Sequence, residues 1–136
     1  MLASARVAAA RTSSVALRRA STAQCLTWGE GTDGQLGHHP FVTSGLMKQY
    51  VELAPRQLEN VDFRDIACGT THTLAVDAGG RVWSWGKNDN GKLGHGDDVD
   101  RQQPEVIEAL SGVDVVKVAC GDSHSLALDT DGRCYA

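Results

Sequence analysis

Hydrophobic and polar positions alternate with a period of two in three short stretches of the chain. Leu74 and Val76 fall on one face, Thr73 and Ala75 on the other. Leu126 and Leu128 repeat this against Ser125 and Ala127, and Trp83 and Trp85 alternate with Val82 and Ser84. Alternation of this kind marks β-strands packed on both faces rather than helices. Between the stretches lie Asp77-Ala78-Gly79-Gly80 and Asp129-Thr130-Asp131-Gly132. Asp opens a type I turn, and Gly three residues on takes the left-handed conformation that closes a bulged hairpin. The pattern predicts a hairpin of Cys68–Val76 with Arg81–Trp85, and Cys120–Leu128 as the start of a second.

The pattern recurs. Thr27–His38 matches Ser84–His95 at an offset of 57, and Ile66–Asp77 matches Val118–Asp129 at an offset of 52. The difference falls between His38 and Cys68, so an insertion is expected over Phe41–Pro55. A few strands per unit, repeated at this period, suggest the blades of a β-propeller.

Read in order, the repeat is Trp-Gly-x-x-x-x-Gly-x-Leu-Gly-His, a Pro-containing stretch, Cys-Gly-x-x-His-[Thr/Ser]-Leu-Ala, then Asp-x-x-Gly-Arg-Val-Trp-x-Trp-Gly. It resembles the regulator of chromosome condensation repeat from about Cys25 to Ala136. The resemblance implies an all-β fold, a seven-bladed propeller of antiparallel strands. Trp-Gly spacing counts one and a half to two blades here. Arg133-Cys134-Tyr135-Ala136 matches Arg81-Val82-Trp83-Ser84, so the chain is expected to be a truncated part of a longer propeller. Proteins similar to this family act as guanine-nucleotide exchange factors for small GTPases such as Ran, or as protein-binding modules. Exchange displaces nucleotide and magnesium with a propeller face and an inserted wedge, and needs no bond-making acid or base. The exchange residues do not map onto this sequence. The expected role is therefore a non-catalytic interaction module without a cofactor. Its expected partner is a protein: a small GTPase or the organellar ribosome.

Composition narrows the classes further. No apolar run approaches the roughly 18 residues of a membrane-spanning helix. A net charge of −4 argues against direct nucleic-acid binding through bulk electrostatics. That charge is unevenly spread. Arg6, Arg11, Arg18 and Arg19 all precede the first acid, Glu30. Residues 1–21, rich in Ala, Ser and Arg, have the make-up of a mitochondrial transit peptide, with Arg19-Ala20-Ser21 as a cleavage pattern. They are expected to be disordered or helical, ahead of a repeat domain over residues 22–136. Plastid, cytoplasm or nucleus are the alternative compartments.

Candidate chemistry was sought residue by residue. Cys68-Gly-x-x-His72 and Cys120-Gly-x-x-His124 supply four ligand-type side chains, the count zinc favours. A zinc-binding or hydrolytic enzyme at these positions is the alternative function. On the strand reading, however, the pairs belong to separate blades. Cys beside Gly would then serve close packing, and each His would bond within its own blade. Thr71-His72 and Ser123-His124 place hydroxyls beside imidazoles, but strand neighbours point to opposite faces. Gly29-Glu30-Gly31-Thr32-Asp33-Gly34 has dinucleotide-loop spacing without a helix-forming sequence after it. His38, His39 and His95 read as surface loop residues. Asn88-Asp89-Asn90-Gly91 lacks the acids of a calcium loop and reads as a turn. Asp97-Asp98-Val99-Asp100 is an acidic loop and an interface candidate. The Trp residues read as packing anchors between blades. Cys25, Cys68, Cys120 and Cys134 suggest no disulfide framework, since two of them occupy matched repeat positions.

Overall fold

The computed structural model describes residues 6–9, 13–19, 23–38, 51–58 and 62–136. Strands β1 (Arg6–Ala9), β2 (Ser13–Arg19), β3 (Ala23–Glu30) and β4 (Val51–Leu58) form a first antiparallel sheet in that order. Strands β5 (Phe63–Cys68), β6 (His72–Asp77), β7 (Val82–Gly86) and β8 (Arg101–Val106) form a second with the same order. Strands β9 (Val115–Cys120), β10 (Ser125–Asp129) and β11 (Cys134–Tyr135) form a third. Each is a meander in which chain neighbours are sheet neighbours, the connectivity of a propeller blade. Two single 3₁₀ turns, Asp89–Gly91 and Glu108–Leu110, are the only helical elements among the described residues. No helix there is long and apolar enough to cross a membrane.

The period-two pattern works as two packing faces. Ala75 and Trp85 join Cys25, Leu58, Phe63 and Ile66 in a core between the first and second sheets. Leu74, Val76 and Val82 join Ile107, Val115 and Ala127 in a core between the second and third. Phe63 stacks on Trp85, ring centroids 5.7 Å apart. The second sheet is thus a layer buried on both sides. Its turn closes as the sequence predicts: the Gly80 amide donates to the Asp77 carbonyl, and Gly80 has φ +82°.

The strand boundaries differ in one respect. Cys68–Val76 is not one strand. The chain reverses at Gly69–Thr71, and β5 and β6 pair antiparallel on either side. Cys120–Leu128 breaks in the same way between β9 and β10. The Cys-Gly-x-x-His motif is a hairpin turn, closed by the Gly69 amide on the His72 carbonyl at 2.8 Å. Alternation on the far side of a tight turn continued the period and hid the break.

The N-terminal segment differs as well. Where a disordered or helical leader was expected, Arg6–Ala9 and Ser13–Arg19 are strands. Val15 and Leu17 face Thr27 and Cys25 across β2–β3, as Leu74 and Val76 face Ser84 and Val82 across β6–β7. The sequences follow that register. Val7-Ala8-Ala9-Ala10-Arg11-Thr12-Ser13-Ser14-Val15-Ala16-Leu17 aligns without a gap on Ile66–Val76, with Ala9, Ala10 and Ser13 in place of Cys, Gly and His. The last two changes belong together. A Cβ on Gly69 would lie 2.3 Å from the His72 ring, and one on Gly121 2.2 Å from the His124 ring. A histidine at this turn demands glycine, and serine does not. The segment therefore supplies two strands that the Trp-Gly count omitted, and they cover the edge of β3.

Candidate interaction surface

The repeated polar residues meet at the boundaries between sheets. His72 is fully buried, and its Nε2 lies 3.0 Å from Ser125 Oγ in the third sheet. Ser125 Oγ donates in turn to the Lys92 carbonyl at 2.7 Å. With the hydroxyl hydrogen so engaged, Nε2–H is the donor to Ser125. Burial, then the nearby Lys92 ammonium, pushes the His72 imidazole down to about 4, so it is neutral near pH 7. A nucleophilic serine needs the opposite arrangement, its proton directed at an imidazole nitrogen. The pair is a staple between blades. The expected within-blade bond is thus replaced by one between blades, because the turn at Gly69–Thr71 carries the ring past its own sheet. His124, at the equivalent position, is exposed.

The cysteines follow the same division. Burial, then the Cys68 thiol, pushes Cys25 up to about 12, and burial raises Cys68 to about 11 and Cys120 to about 12. Such thiols stay protonated near neutrality and are poor nucleophiles and poor metal ligands. Thr73 Oγ lies 3.9 Å from Cys68 Sγ, and the Cys120 thiol donates to the Ala67 carbonyl across the boundary at 3.4 Å. All four cysteines are free. Among the described residues no group of three or more His, Cys, Asp or Glu side chains is placed to hold a metal ion.

The remaining candidates hold loops in place. After Gly29 the chain forms two successive turns, Gly34 N–H to Gly31 carbonyl and Gly37 N–H to Gly34 carbonyl, so no helix N-terminus faces this glycine run. His38 Nε2 lies 2.6 Å from Thr27 Oγ, and His95 Nε2 lies 2.9 Å from Ser84 Oγ. Both rings are half-buried pins rather than surface groups. His39 lies outside the described residues. Most of the Phe41–Pro55 insertion does too, although β4 begins at Val51. Asp77 organises its turn. It accepts from the Gly79 and Arg81 amides and from the Trp83 indole at 3.0 Å. Burial would raise its carboxyl, but the Trp83 and Arg81 bonds outweigh that and hold it below the ordinary range. Asp129 repeats the arrangement with the Tyr135 hydroxyl in place of the indole.

The acidic loop is built rather than loose. Asn88, fully buried, donates to Asp97 through its side chain and to Asp100 through its amide, and accepts from Leu93. Arg101 donates to Asp97 at 2.8 Å and to Glu105 at 2.6 Å. These bonds hold the loop ends and leave Val99 57% exposed at the tip, the one strongly exposed large aliphatic among the described residues. The sequence identified the loop. It did not single out Asn88, which stands where Gly31 stands in the earlier copy.

The sequence matches the description "Regulator of chromosome condensation (RCC1) repeat" over residues 23–76 and again over 79–128. The chain belongs to this family. It is 36% identical over 112 residues to the human E3 ubiquitin-protein ligase HERC2, covering 81% of this chain and 2% of that protein. It is 39% identical over 109 residues to the ultraviolet-B receptor UVR8 of Arabidopsis thaliana, covering 80% of this chain and 24% of the receptor. Among solved structures, human WBSCR16 superposes with a TM-score of 0.76 at 24% identity, over 96% of this chain and 33% of that one. Prp20p of Saccharomyces cerevisiae, described with its binding to Gsp1p and histones, gives 0.77 at 24% identity, over 92% and 31%. The chain therefore spans about a third of these RCC1-type structures, and far less of its sequence relatives.

Proposed function

We propose that this chain is part of a non-catalytic protein-interaction propeller, with an exchange-factor-like role towards a small GTPase as its specific form. One observation carries the reading: the repeat's Ser, Thr, Cys and His side chains are spent on contacts within and between blades, while the braced Asp97–Asp100 loop holds Val99 out to solvent. The binding described for Prp20p supports a GTPase as partner, and the ligase activity of the HERC relatives belongs to proteins of which this sequence covers a few per cent. The test is binding and stimulated nucleotide release with a purified Ran-type GTPase. Binding weakened about tenfold or more by Val99→Asp supports the reading. Equal binding by wild type and variant removes the loop from it, and no binding or release removes the GTPase. Stoichiometric zinc lost on Cys68→Ala would favour the enzyme alternative.

A mitochondrial address in residues 1–21 is a separate proposal. It is supported by four arginines and no acid before Glu30. A fluorescent fusion should reach mitochondria with the natural segment and not with the four arginines changed to glutamine.

A further inference from the structure

In the boundary between the first and second sheets, the Gln35 carbonyl accepts two bonds: Thr73 Oγ at 2.9 Å and the Trp85 indole N–H at 2.9 Å. The indole lies over Gly37, where a Cβ would come within 2.9 Å of its Nε1 and 3.1 Å of Leu58. Phe63 stacks on its face. One repeat further on, every fixed part of this seat is present. Lys92 stands for Gln35, and its carbonyl accepts Ser125 Oγ at 2.7 Å as Gln35 accepts Thr73. Gly94 stands for Gly37, Ile107 for Leu58 and Val115 for Phe63. A cavity of about 450 Å³ opens there, lined by Leu74, Leu93, Gly94, Ile107, Leu110 and Tyr135 among others.

We infer that this cavity is an indole socket. It takes a tryptophan on an extended strand that runs in line with β11 and pairs with β10 at Ser125. The occupant is the Trp-Gly strand of a further repeat of this kind, since Trp-Gly fills the first seat. The second lone pair of the Lys92 carbonyl receives the indole N–H. The apolar lining takes the ring, and Gly94 lets it lie close. This inference rests on the repeat geometry and is independent of the proposed function.

Three forms of the full chain test it, each lengthened after Ala136 by one dipeptide: Trp-Gly, Phe-Gly or Ala-Gly. The Trp-Gly form should melt several degrees above the Ala-Gly form, with Phe-Gly between them, because phenylalanine fills the space but brings no donor. Its added indole should show blue-shifted emission protected from iodide, and Leu110→Lys should abolish both effects. Equal melting of the three forms, or an added indole as quenchable as one in water, would overturn the socket. Phe-Gly matching Trp-Gly would overturn the bond to Lys92.

Discussion

The Trp85 indole donates to the Gln35 backbone carbonyl across the boundary between the first and second sheets, at 2.9 Å and with the ring fully buried. One side chain thus supplies both the largest apolar contact of that core and a directional link between blades. Trp85→Ala should cost about 3–5 kcal/mol, the range for deleting a buried aromatic. Trp85→Phe keeps most of the packing and loses the donor, with Thr73 still bonded to Gln35, so its cost should be smaller. Urea denaturation of the two variants gives the order, and equal losses would deny the bond any role.

The two turn glycines are sequence equivalents with different tolerance. A Cβ on Gly69 would meet the buried His72 ring at 2.3 Å and the Gly121 carbonyl at 2.5 Å. A Cβ on Gly121 would meet only the ring of the exposed His124, which can rotate away. Gly69→Ala should cost upwards of about 2 kcal/mol, as overpacking in a tight site does. Gly121→Ala should cost well under 1 kcal/mol, about as much as an ordinary surface change. Thermal melts of both variants check the contrast.

Acid should weaken the molecule through His72. The folded ring takes its proton near pH 4, the unfolded one near about 6.5. Between those values the unfolded chain binds more protons, so stability falls as pH drops from about 6.5 to about 4, by on the order of 3 kcal/mol, and His72 adds no slope below that. Lys92, Asp89 and His124 are the charged and titratable groups that act on the ring. Asp77 and Asp129, whose carboxyls are held low, act in a separate window: their contribution is present above about pH 4 and fades below it. His72→Asn should flatten the slope between pH 4 and 6.5 relative to wild type. An unchanged slope would show the ring to titrate normally.

Much of this architecture was legible in the sequence. The alternation of Leu74 and Val76 with Thr73 and Ala75 assigned each residue to the inter-sheet core it occupies, because a strand has only two faces. The matching Trp-Gly and Cys-Gly-x-x-His strings located the second and third sheets. The turn inside Cys68–Val76 was not legible, since a tight reversal can preserve period-two alternation. Nor was the His72–Ser125 contact, which joins residues 53 apart through packing of one sheet on the next. The N-terminal copy was hidden for a chemical reason. Cys, Gly and His, the residues that mark the turn, are replaced there by Ala9, Ala10 and Ser13, and the surrounding arginines read as a leader. Val15-Ala16-Leu17, in phase with Leu74-Ala75-Val76, was the signal that could have found it.

That copy makes its own prediction. Deleting residues 1–21 removes β1 and β2 and leaves the edge of β3 unpaired. The shortened chain should melt lower than the 136-residue chain and associate more readily through the bare edge. Calorimetry with sedimentation on both forms tests this. Identical melting and identical mass would separate the segment from the blade.

The staple between blades is open to a direct energetic test. His72→Ala, Ser125→Ala and the double variant form a thermodynamic cycle, measured by chemical denaturation with native folds verified by circular dichroism. If the repeated histidine and serine are structural partners across a blade boundary, the coupling should be about 1 kcal/mol or more in favour of the pair. A coupling indistinguishable from zero would contradict the claim that this repeat devotes its polar side chains to holding blades together.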